Sequence, residues 1–364
     1  MADFTYSSNT VTGSAAQPYL VGKAIDIVTS YSPLTLFFLG HQKPWQGVQR
    51  GIPLKYVANT QGMSFDGLER FSTTKTNNWV KMAFNPTGRN IPCVLSGIEE
   101  DVVAADPTSK VNLKNRQLTS DTQDMAADIA SLFWTLQTGK NFLSILDGLD
   151  DTDLGTTSYG GLSRSTYTGL NGTVTASGGN LTAAMMSTMW MNCTHGKDEP
   201  NLIVTTKAAW SYYEKLAIPA SSLQITQDAL RGYPSFVGAT EGGLPNIIAS
   251  GTRLKGALGF NSLIYKGVPV VADENAPTGY MTFLNTRSWN FYGLPSTLPG
   301  YKPVKFYNET IDSVYSAPIT YGFSYSDFIV PIDQYGEVAQ LILMGNLICE
   351  NPRLNGLLTG ITGA

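Results

Sequence analysis

Apolar residues recur every three or four positions along one long segment of the chain, residues 118–148. This spacing is typical of an amphipathic helix. Ser120 and Gln123 have the spacing of a capping box and Gly148 supplies a stop, so we predict one helix over about 120–147. About 27 residues at about 1.5 Å each make a rod of roughly 40 Å, long enough to act as a spine. Its predicted apolar face consists of Met125, Ile129, Leu132, Phe133, Leu136, Leu143 and Leu146.

The first hundred residues alternate between polar and apolar stretches that suit extended chain. Residues 1–45 are polar and rich in Ser, Thr and Gly, which predicts an extended arm with at most one short helix. Residues 52–60 and 79–97 have the composition of β-strands and flank the polar stretch 61–78. We expect a two-stranded ribbon with a long excursion. Because isolated hairpins are marginal in water, the ribbon should lean on a surface outside the core of its own chain.

The second half of the chain mixes short helices with strands. We predict helices over about 181–194 and 207–217, with a short buried strand, PNLIVTT, between them. The apolar run Val268–Ala272 precedes a polar segment with proline and glycine and a second apolar run, YMTFLN, which together predict a β-hairpin. Two further apolar runs, FIVPID and VAQLILMGNLICENP, predict strands that return to the first core. The fold class is therefore α+β.

The composition changes this picture in one respect, because the chain is poor in charge. Of its 364 residues 42% are hydrophobic and only 14% are charged, whereas typical soluble domains carry about 25% charged residues. The chain also has 18 Tyr, 15 Phe and 6 Trp. Much of its surface is expected to be covered, and copies of the same chain are the simplest cover.

The net charge of −4 carries information about partners. The densest basic patch is Lys110, Lys114 and Arg116, which fits a solvated face or a DNA contact. A low net charge argues against strong non-specific DNA binding, since affinity for phosphate grows with the number of cations placed against it. The sequence begins without the basic start and apolar block of a signal peptide, and it has no apolar run of about 20 residues, so no membrane partner is predicted.

Histidine and cysteine give few candidates for chemistry. The two histidines are His41 and His195, and the three cysteines, Cys93, Cys193 and Cys349, are far apart and form no C-x-x-C pair. Neither a zinc site nor a disulfide framework is indicated, and buried thiols are expected. The neighbours Cys193 and His195 fit a metal or nucleophile site less well than a histidine near a helix C-terminus.

Acidic clusters are the remaining candidates. IEED at 98–101 fits a polar exit from a strand, and DGLDDTDLG at 147–155 lacks the order of an EF-hand loop, which leaves a weak calcium site or a solvated helix end. Asp273 and Glu274 follow a buried strand, where a hydrolase could keep an acid and a base, yet acidic residues are ordinary at a hairpin tip. We favour the hairpin and predict no catalytic, cofactor-binding or metal-binding residue.

The order of these segments resembles that of the Hong Kong 97-type major capsid proteins of tailed bacteriophages. The likeness covers about 50–361 and rests on the order and spacing of several stretches, none of which is diagnostic alone. The turn 160–167 resembles a Gly-Gly-x-x-Arg turn of that family but lacks the tryptophan pair that follows the arginine in many relatives. The other similar stretches are KMAFNPTGRNIPCVLSGIEED, EPNLIVTTKAAWSYYEKL, LGFNSLIYKGVPVVADENAPTGYMTFLNTRSW and LILMGNLICENPRLNGLLTGI.

The resemblance implies an architecture and a function. It implies a coat protein, not an enzyme, that assembles as pentamers and hexamers into an icosahedral shell around phage dsDNA, with no cofactor. It implies assembly in the host bacterial cytoplasm, residence in the virion, and contacts with a portal, with a decoration protein, with a separate scaffold or none, and weakly with DNA. The implied segments are an arm (1–49), an extended loop (50–98), a peripheral domain containing the spine helix (99–200), an axial domain (201–305) and a return to the peripheral domain with a tail (306–364).

Two alternative classes of function stay open. The chain fits a hydrolase that uses Asp273 and Glu274, or another self-assembling structural protein such as a surface-layer or tail-tube subunit. Some relatives lock their shells with a Lys–Asn isopeptide bond. Here the candidate atoms belong to Lys75, Lys81, Asn351 and Asn355.

Overall fold

Two six-stranded β-sheets organise the protein, as seen in a computed structural model that describes residues 32–40, 42–105, 113–217, 262–294, 296–303 and 323–363. The helices are α1 (Pro33–Gly40), α2 (Gly97–Ala105), α3 (Leu113–Phe133), α4 (Ile145–Leu149), α5 (Ala183–Cys193) and α6 (Lys207–Ala217). The strands of the first sheet are β1 (Gln42–Pro44), β4 (Thr87–Ser96), β12 (Trp289–Gly293), β13 (Tyr301–Pro303), β14 (Phe323–Ser326) and β15 (Gly336–Cys349). Those of the second are β7 (Thr173–Asn180), β8 (Leu202–Thr205), β9 (Ser262–Tyr265), β10 (Val268–Ala272), β11 (Met281–Leu284) and β16 (Gly356–Gly363). Two small pairs complete the set, β2 (Arg50–Lys55) with β3 (Trp79–Phe84), and β5 (Ser158–Tyr159) with β6 (Leu162–Ser163).

The first sheet is built around β15, whose 14 residues alternate between buried and half-buried positions over most of their length. β4 runs antiparallel to it from Gly336↔Ser96 to Gly345↔Thr87. β12 pairs with β15 further along, at Gly345–Cys349, and β14 pairs with Leu341–Leu343. The apolar face of α3, with Met125, Ile129 and Phe133 fully buried, belongs to this core. The period of three and four in the sequence therefore marks the face of α3 that is buried.

The second sheet has its own core, covered by α5 and α6. Its order is β7-β16-β11-β8-β10-β9, so strands distant in sequence lie side by side. Met186 and Trp190 of α5 and Tyr213 of α6 pack with Val270 and Phe283 of the sheet. The helices predicted over 181–194 and 207–217 are confirmed, as is the buried strand between them.

The long helix is shorter than predicted. α3 ends at Phe133, so its 21 described residues span about 32 Å. Ser120 lies inside α3 and is not its cap. The capping box is at Ser144, which accepts a hydrogen bond from the Asp147 backbone N–H and starts the separate five-residue helix α4. Asp147 also accepts a hydrogen bond from the backbone N–H of Gln137, at 2.9 Å. This bond stabilises a turn of the chain between α3 and α4.

The predicted hairpin between the two apolar runs near Asp273 is wrong. β10 and β11 are both strands, but β8 lies between them, parallel to β10 and antiparallel to β11. The hairpin of this region joins β9 and β10 through Lys266 and Gly267. The prediction of a strand at FIVPID is also wrong, because β14 ends at Ser326.

The end of the predicted arm belongs to the core of its own subunit. Leu34 and Phe38 of α1 are buried, and the Phe38 ring lies 5.8 Å from the Phe133 ring in a T-shaped contact. β1 then runs parallel to β12, and Trp45 packs against Tyr292. Residues 32–40 and 42–45 of the predicted arm therefore pack on the body of their own subunit, whereas residues 1–31 and 41 lie outside the described residues.

Candidate interaction surfaces

The ribbon of β2 and β3 leaves the first sheet and carries residues 56–78, which have no regular structure. β4, predicted as part of this ribbon, belongs instead to the main sheet, so the ribbon's paired strands end at Phe84. The excursion is apolar as well as polar. Its exposed large apolar side chains, with Trp79 at its end, are Tyr56, Val57, Met63, Phe65, Leu68, Phe71 and Trp79.

Among the described residues, these side chains belong to neither hydrophobic core. Phe65 and Phe71 contact each other, with ring centroids 5.1 Å apart, yet remain 63% and 61% exposed. Leu68 is fully exposed, at 101% of its reference area. A contiguous apolar surface of this kind typically marks a site of interaction with another molecule.

The base of the ribbon is fixed to the body of the subunit. The backbone N–H of Ala83 donates to the carbonyl of Gly160 at 2.9 Å, in the turn between β5 and β6. The rings of Phe84 and Tyr159 make a T-shaped contact at 5.2 Å. At the outer end of the paired strands, the Tyr56 ring meets the Tyr167 ring edge-on at 5.0 Å.

Arg164 organises the turn to which the ribbon is fixed. Its side chain is completely buried, and its guanidinium donates to the backbone carbonyls of Asp150 and Leu170 at 2.6 Å and to that of Asp147. Burial lowers the pKa of Arg164, although nearby Asp150 opposes that shift. The resemblance draws attention to this arginine through its motif, but no local sequence signal indicates that its partners are backbone carbonyls at the end of α4 and at Leu170.

The acidic cluster 147–155 is divided between buried and solvated carboxylates, with Asp153 exposed and Asp151 half-buried. Asp147 and Asp150 are buried, and Asp150 accepts hydrogen bonds from the backbone N–H groups of Thr152, Leu154 and Thr156 and from the Thr156 hydroxyl. Burial raises the pKa of Asp147. For Asp150 burial acts in the same direction, but the hydrogen bonds outweigh it and its pKa is lowered. These carboxylates hold the loop after α4, so the predicted solvated helix end is wrong for both.

A second exposed apolar surface lies between β14 and β15, on residues 327–335. Ile329 bridges to Val338 through two backbone hydrogen bonds of 3.0 and 2.9 Å, and Tyr335 is held by the Asp101 carboxylate. Between these anchors Val330 and Ile332 project outward, and Ile332 is 108% exposed. A groove of about 350 Å³ borders this segment, lined by Pro299, Gly300, Tyr301, Ser326, Asp327, Ile329, Pro331, Val338 and Gln340.

Asp273 and Glu274 are both engaged in structural contacts. Asp273 is buried and accepts hydrogen bonds from the Ser32 hydroxyl at 2.5 Å and from the Asn275 backbone N–H at 2.9 Å. Ser32 in turn accepts from the backbone N–H of Thr35 at the start of α1. Glu274 forms an ion pair with Lys207. The pair thus joins α1 and α6 to the second sheet, and these contacts do not support an acid–base site.

The remaining candidates are also placed by their contacts. His195 accepts a hydrogen bond from Arg353 Nε at 3.1 Å, and its pKa is lowered by partial burial and by the Arg353 charge. Cys193 is buried, and its thiol contacts the sulfur of Met189 rather than His195. Within the described ranges no cluster of three or more His, Cys, Asp or Glu residues is arranged to hold a metal ion. None of the helices in that part of the chain has the length and apolar character needed to cross a membrane.

The structure describes only part of the predicted basic patch, because Lys110 lies outside the described residues. His41, a separate candidate, also lies outside them. Lys114 forms ion pairs with Glu100 at 2.9 Å and Glu337 at 2.6 Å, so it joins α2, α3 and β15. The IEED segment follows β4, as predicted for a polar exit from a strand, and forms the start of α2.

The candidate isopeptide residues differ in access. Asn355 is fully buried; it accepts from the Asn285 backbone N–H at 2.7 Å and from Trp289 Nε1 at 3.0 Å. Its amide donates to the Asn351 carbonyl at 3.0 Å. A bond to another subunit through Asn355 is therefore ruled out sterically in this fold, whereas Lys75, Lys81 and Asn351 are exposed.

No family model matches the sequence, and no curated protein matches it. Solved structures, in contrast, match nearly the whole chain. A capsid chain of cyanophage A-1(L) superposes with a TM-score of 0.65 at 14% identity, covering 96% of this chain and 98% of the other. A capsid chain of a native GTA particle gives 0.56 at 10% identity, covering 98% and 99%. The SrpI encapsulin of Synechococcus elongatus gives 0.55 at 12% identity, covering 96% and 94%. The chain therefore has the Hong Kong 97-type capsid fold.

Proposed function

We propose that the chain is the major coat protein of a tailed bacteriophage, which assembles as pentamers and hexamers into an icosahedral shell around double-stranded DNA. The observation that carries the proposal is the ribbon, which holds seven large exposed apolar side chains over no core of its own. The likeness to the cyanophage capsid chain over 96% of the sequence supports it.

The physical argument concerns where this apolar surface goes. A ribbon of two six-residue strands with a 23-residue excursion buries little within its own subunit, and isolated two-stranded hairpins are marginal in water. A neighbouring copy supplies the missing burial. Such a contact joins two different surfaces of the same chain, and contacts of that kind close into rings when the rotation between copies closes.

The segment roles follow from the same proposal. Residues 201–305 act as the axial domain around which pentamers and hexamers form. Of the predicted loop 50–98, residues 50–84 act as the extended loop over a neighbour, because β4 belongs to the first sheet. Residues 99–200 and 306–364 act as the peripheral domain and tail, with α3 as a stiff spine. The portal, a decoration protein, a scaffold where one is used, and weakly held DNA are the remaining partners. Assembly takes place in the bacterial cytoplasm and the product is the virion.

The decisive experiment removes residues 60–77 from the ribbon. The deletion leaves β2 and β3 intact, so we expect a soluble, folded subunit that forms no shells. Sedimentation velocity and negative-stain microscopy distinguish megadalton particles from single subunits or capsomers. Normal shells from the deleted protein would contradict the proposal.

A finer pair of variants separates apolar from polar contributions. Replacing Phe65, Leu68 and Phe71 by Ser removes the apolar tip, and we expect it to abolish assembly as the deletion does. Replacing Ser64 and Thr73 by Ala changes exposed polar residues of the same segment and should leave assembly intact. A filament or a small oligomer with turnover from the unmodified protein would favour a tail-tube subunit or an enzyme instead.

A further inference from the structure

The paired strands of the ribbon are held at three points by the turn 157–170. At the inner end the Ala83 backbone N–H donates to the Gly160 carbonyl at 2.9 Å. Beside it the Phe84 and Tyr159 rings are in contact at 5.2 Å. At the outer end, where β2 stops, the Tyr56 ring meets the Tyr167 ring at 5.0 Å.

The fit between turn and ribbon is close. Gly160 has φ of +58°, and a Cβ there would lie 2.9 Å from Met82 Cβ and 2.9 Å from Phe84 Cζ. The backbone of the turn thus approaches β3 at a distance that only glycine allows. Met82 and Phe84 are themselves buried, so the contact has well-packed atoms on both sides.

The turn is itself held in place by buried hydrogen bonds from Arg164 and Tyr159. Arg164 donates to carbonyls on both sides of the turn, those of Asp150 and Leu170. Tyr159 exchanges hydrogen bonds with the backbone of Cys349 in β15, accepting from its N–H at 2.8 Å and donating to its carbonyl at 3.2 Å. The ribbon is therefore connected to the first sheet through this turn.

A second anchor holds the ribbon at its origin. The guanidinium carbon of Arg50 lies 4.5 Å from the centre of the Tyr292 ring, and Tyr292 donates to the Glu350 carboxylate at 2.5 Å. The paired strands are thus held at Arg50 and again at Tyr56, six residues further out. Beyond Tyr56 the side chains of the excursion are exposed, except for Thr76 and Asn78, which are half-buried.

We infer that the turn 157–170 is a buttress that fixes the direction in which the ribbon leaves the subunit, with the Tyr56–Tyr167 contact as its outer stop. Tyr167 and Gly160 are positioning residues: they need not touch a neighbour, but they set where the apolar tip is presented. Because each copy presents its tip at the same angle, the buttress determines how neighbouring copies tilt and hence the diameter of the shell. This last step rests on the proposed function, whereas the direction of the ribbon does not.

The direction of the ribbon is tested on unassembled subunits isolated by gel filtration. Spin labels are attached to cysteines introduced at Lys55 on the ribbon and Lys140 on the body, both exposed. The native Cys93, Cys193 and Cys349 are buried, and burial raises the pKa of each thiol to about 12, so they label slowly. Pulsed dipolar spectroscopy then gives the distribution of distances between ribbon and body.

Four variants make the test specific to the buttress. Tyr167→Ala and Tyr56→Ala each remove one ring of the outer stop, and Tyr167→Phe keeps the ring. Tyr212→Ala is the matched control, a half-buried tyrosine on α6 that packs on the other core. An aromatic pair of this kind contributes enough that its loss should lower the ratio of docked to undocked ribbon by roughly 2- to 12-fold.

We expect one narrow distance peak for the unmodified protein, Tyr167→Phe and Tyr212→Ala, and a broadened or second population for both ring deletions. Circular dichroism confirms that each variant is folded, and Tyr56→Ala keeps the test valid where Tyr167→Ala does not fold. Equal narrow peaks in Tyr167→Ala and Tyr56→Ala, or equal broadening in Tyr212→Ala, overturn the inference.

Shell size provides the second measurement. Electron microscopy of assembled Tyr167→Ala is expected to show a broadened or shifted distribution of diameters, restored by Tyr167→Phe. Unchanged diameters together with a broadened spin-label distance would overturn the link to shell size. Absence of any shell from the unmodified protein would instead contradict the proposed function, while the distance distributions would still decide whether the buttress exists.

Discussion

The substitution Arg164→Met tests how much the buried guanidinium of Arg164 contributes to the stability of the subunit. The substitution keeps an unbranched side chain of similar length but removes every donor of the guanidinium. The carbonyls of Asp147, Asp150 and Leu170 then lose a buried partner. The carboxylates of Asp147 and Asp150, which interact electrostatically with Arg164, also lose its positive charge. We expect the turn 157–170 and the end of α4 to be destabilised together.

The magnitude follows from burial. A hydrogen bond from a charged donor is worth about 1.5–3 kcal/mol, and a buried acceptor left without a partner costs about 1–3 kcal/mol. These terms overlap, so they do not add. Removing one partner from a buried ionic cluster typically costs about 3–5 kcal/mol, and we expect a loss in that range. Since folded proteins are stable by only about 5–15 kcal/mol, such a loss also lowers the soluble yield.

Urea unfolding of unassembled subunits measures the loss. With a slope of about 2 kcal/mol per molar urea, the midpoint should fall by about 1.5–2.5 M. The matched control is Arg89→Met, which breaks a bidentate pair with Asp128 in which the side chains are 42% and 30% exposed. Such a pair contributes about 0.2–1 kcal/mol, so the control should shift the midpoint by less than about 0.5 M. Equal shifts in the two variants would show that the carbonyl network around Arg164 is not a centre of stability.

Two further predictions concern neighbouring residues. In Gly148→Ala the new Cβ would lie 2.5 Å from Trp289 Cη2, so overpacking should cost about 1–3 kcal/mol in thermal unfolding, whereas Gly169→Ala, with open space around it, should be nearly neutral. Asp150→Asn tests acid stability: because the folded pKa of Asp150 is lowered, its ionised form stabilises the fold above the unfolded pKa of about 3.9, and this contribution is lost as the pH falls through the folded pKa. The variant should be less stable than the unmodified protein at pH 7, and the difference in urea midpoint should shrink towards about pH 3; a constant difference would refute this assignment.

The existence of the long helix was predictable from the sequence, but its end was not. The apolar period continues through Leu136, Leu143 and Leu146, yet the helix stops at Phe133. The signal for the break was present, since Ser144 and Asp147 have capping-box spacing. Ser120 and Gln123 have it too, and local sequence cannot rank the two sites. What decides is the burial of Asp147 against Gln137 and Arg164.

The order of the strands in the second sheet was beyond local reasoning. β10 and β11 are separated by a short polar segment, which locally favours a hairpin. Instead β8, more than sixty residues earlier, occupies the position between them. Its adjacent residues Ile203 and Val204 face opposite sides of the sheet, belong to different cores and are both buried. Pairing over such a distance depends on the whole core and is not encoded in the turn.

The ribbon illustrates a different limit of prediction from the sequence. The lack of internal support was predictable, because the polar excursion 61–78 is too long for a tight turn. The contact that holds the ribbon against the turn 157–170 was not predictable, because Tyr56 and Tyr167 are 111 positions apart and are two of 18 tyrosines. Likewise, FIVPID has strand composition but is exposed at Ile329 and Val330. The composition of a segment indicates that its apolar side chains require burial. It does not indicate whether the same chain or another molecule buries them.

The structure shows where the uncovered apolar surface expected from the low charge of the sequence lies. Within the described part of the chain, large exposed apolar side chains concentrate in the excursion 56–79 and in the segment 329–335, which belong to separate parts of the fold. One heterologous contact joins copies into a ring or an open filament, and a closed surface requires a second contact in another direction. A subunit with a single such surface would suit a ring or a simple helical filament. Two separate surfaces satisfy the minimum that a closed shell demands, so the distribution of exposed apolar residues, and not only their number, agrees with the proposed coat protein.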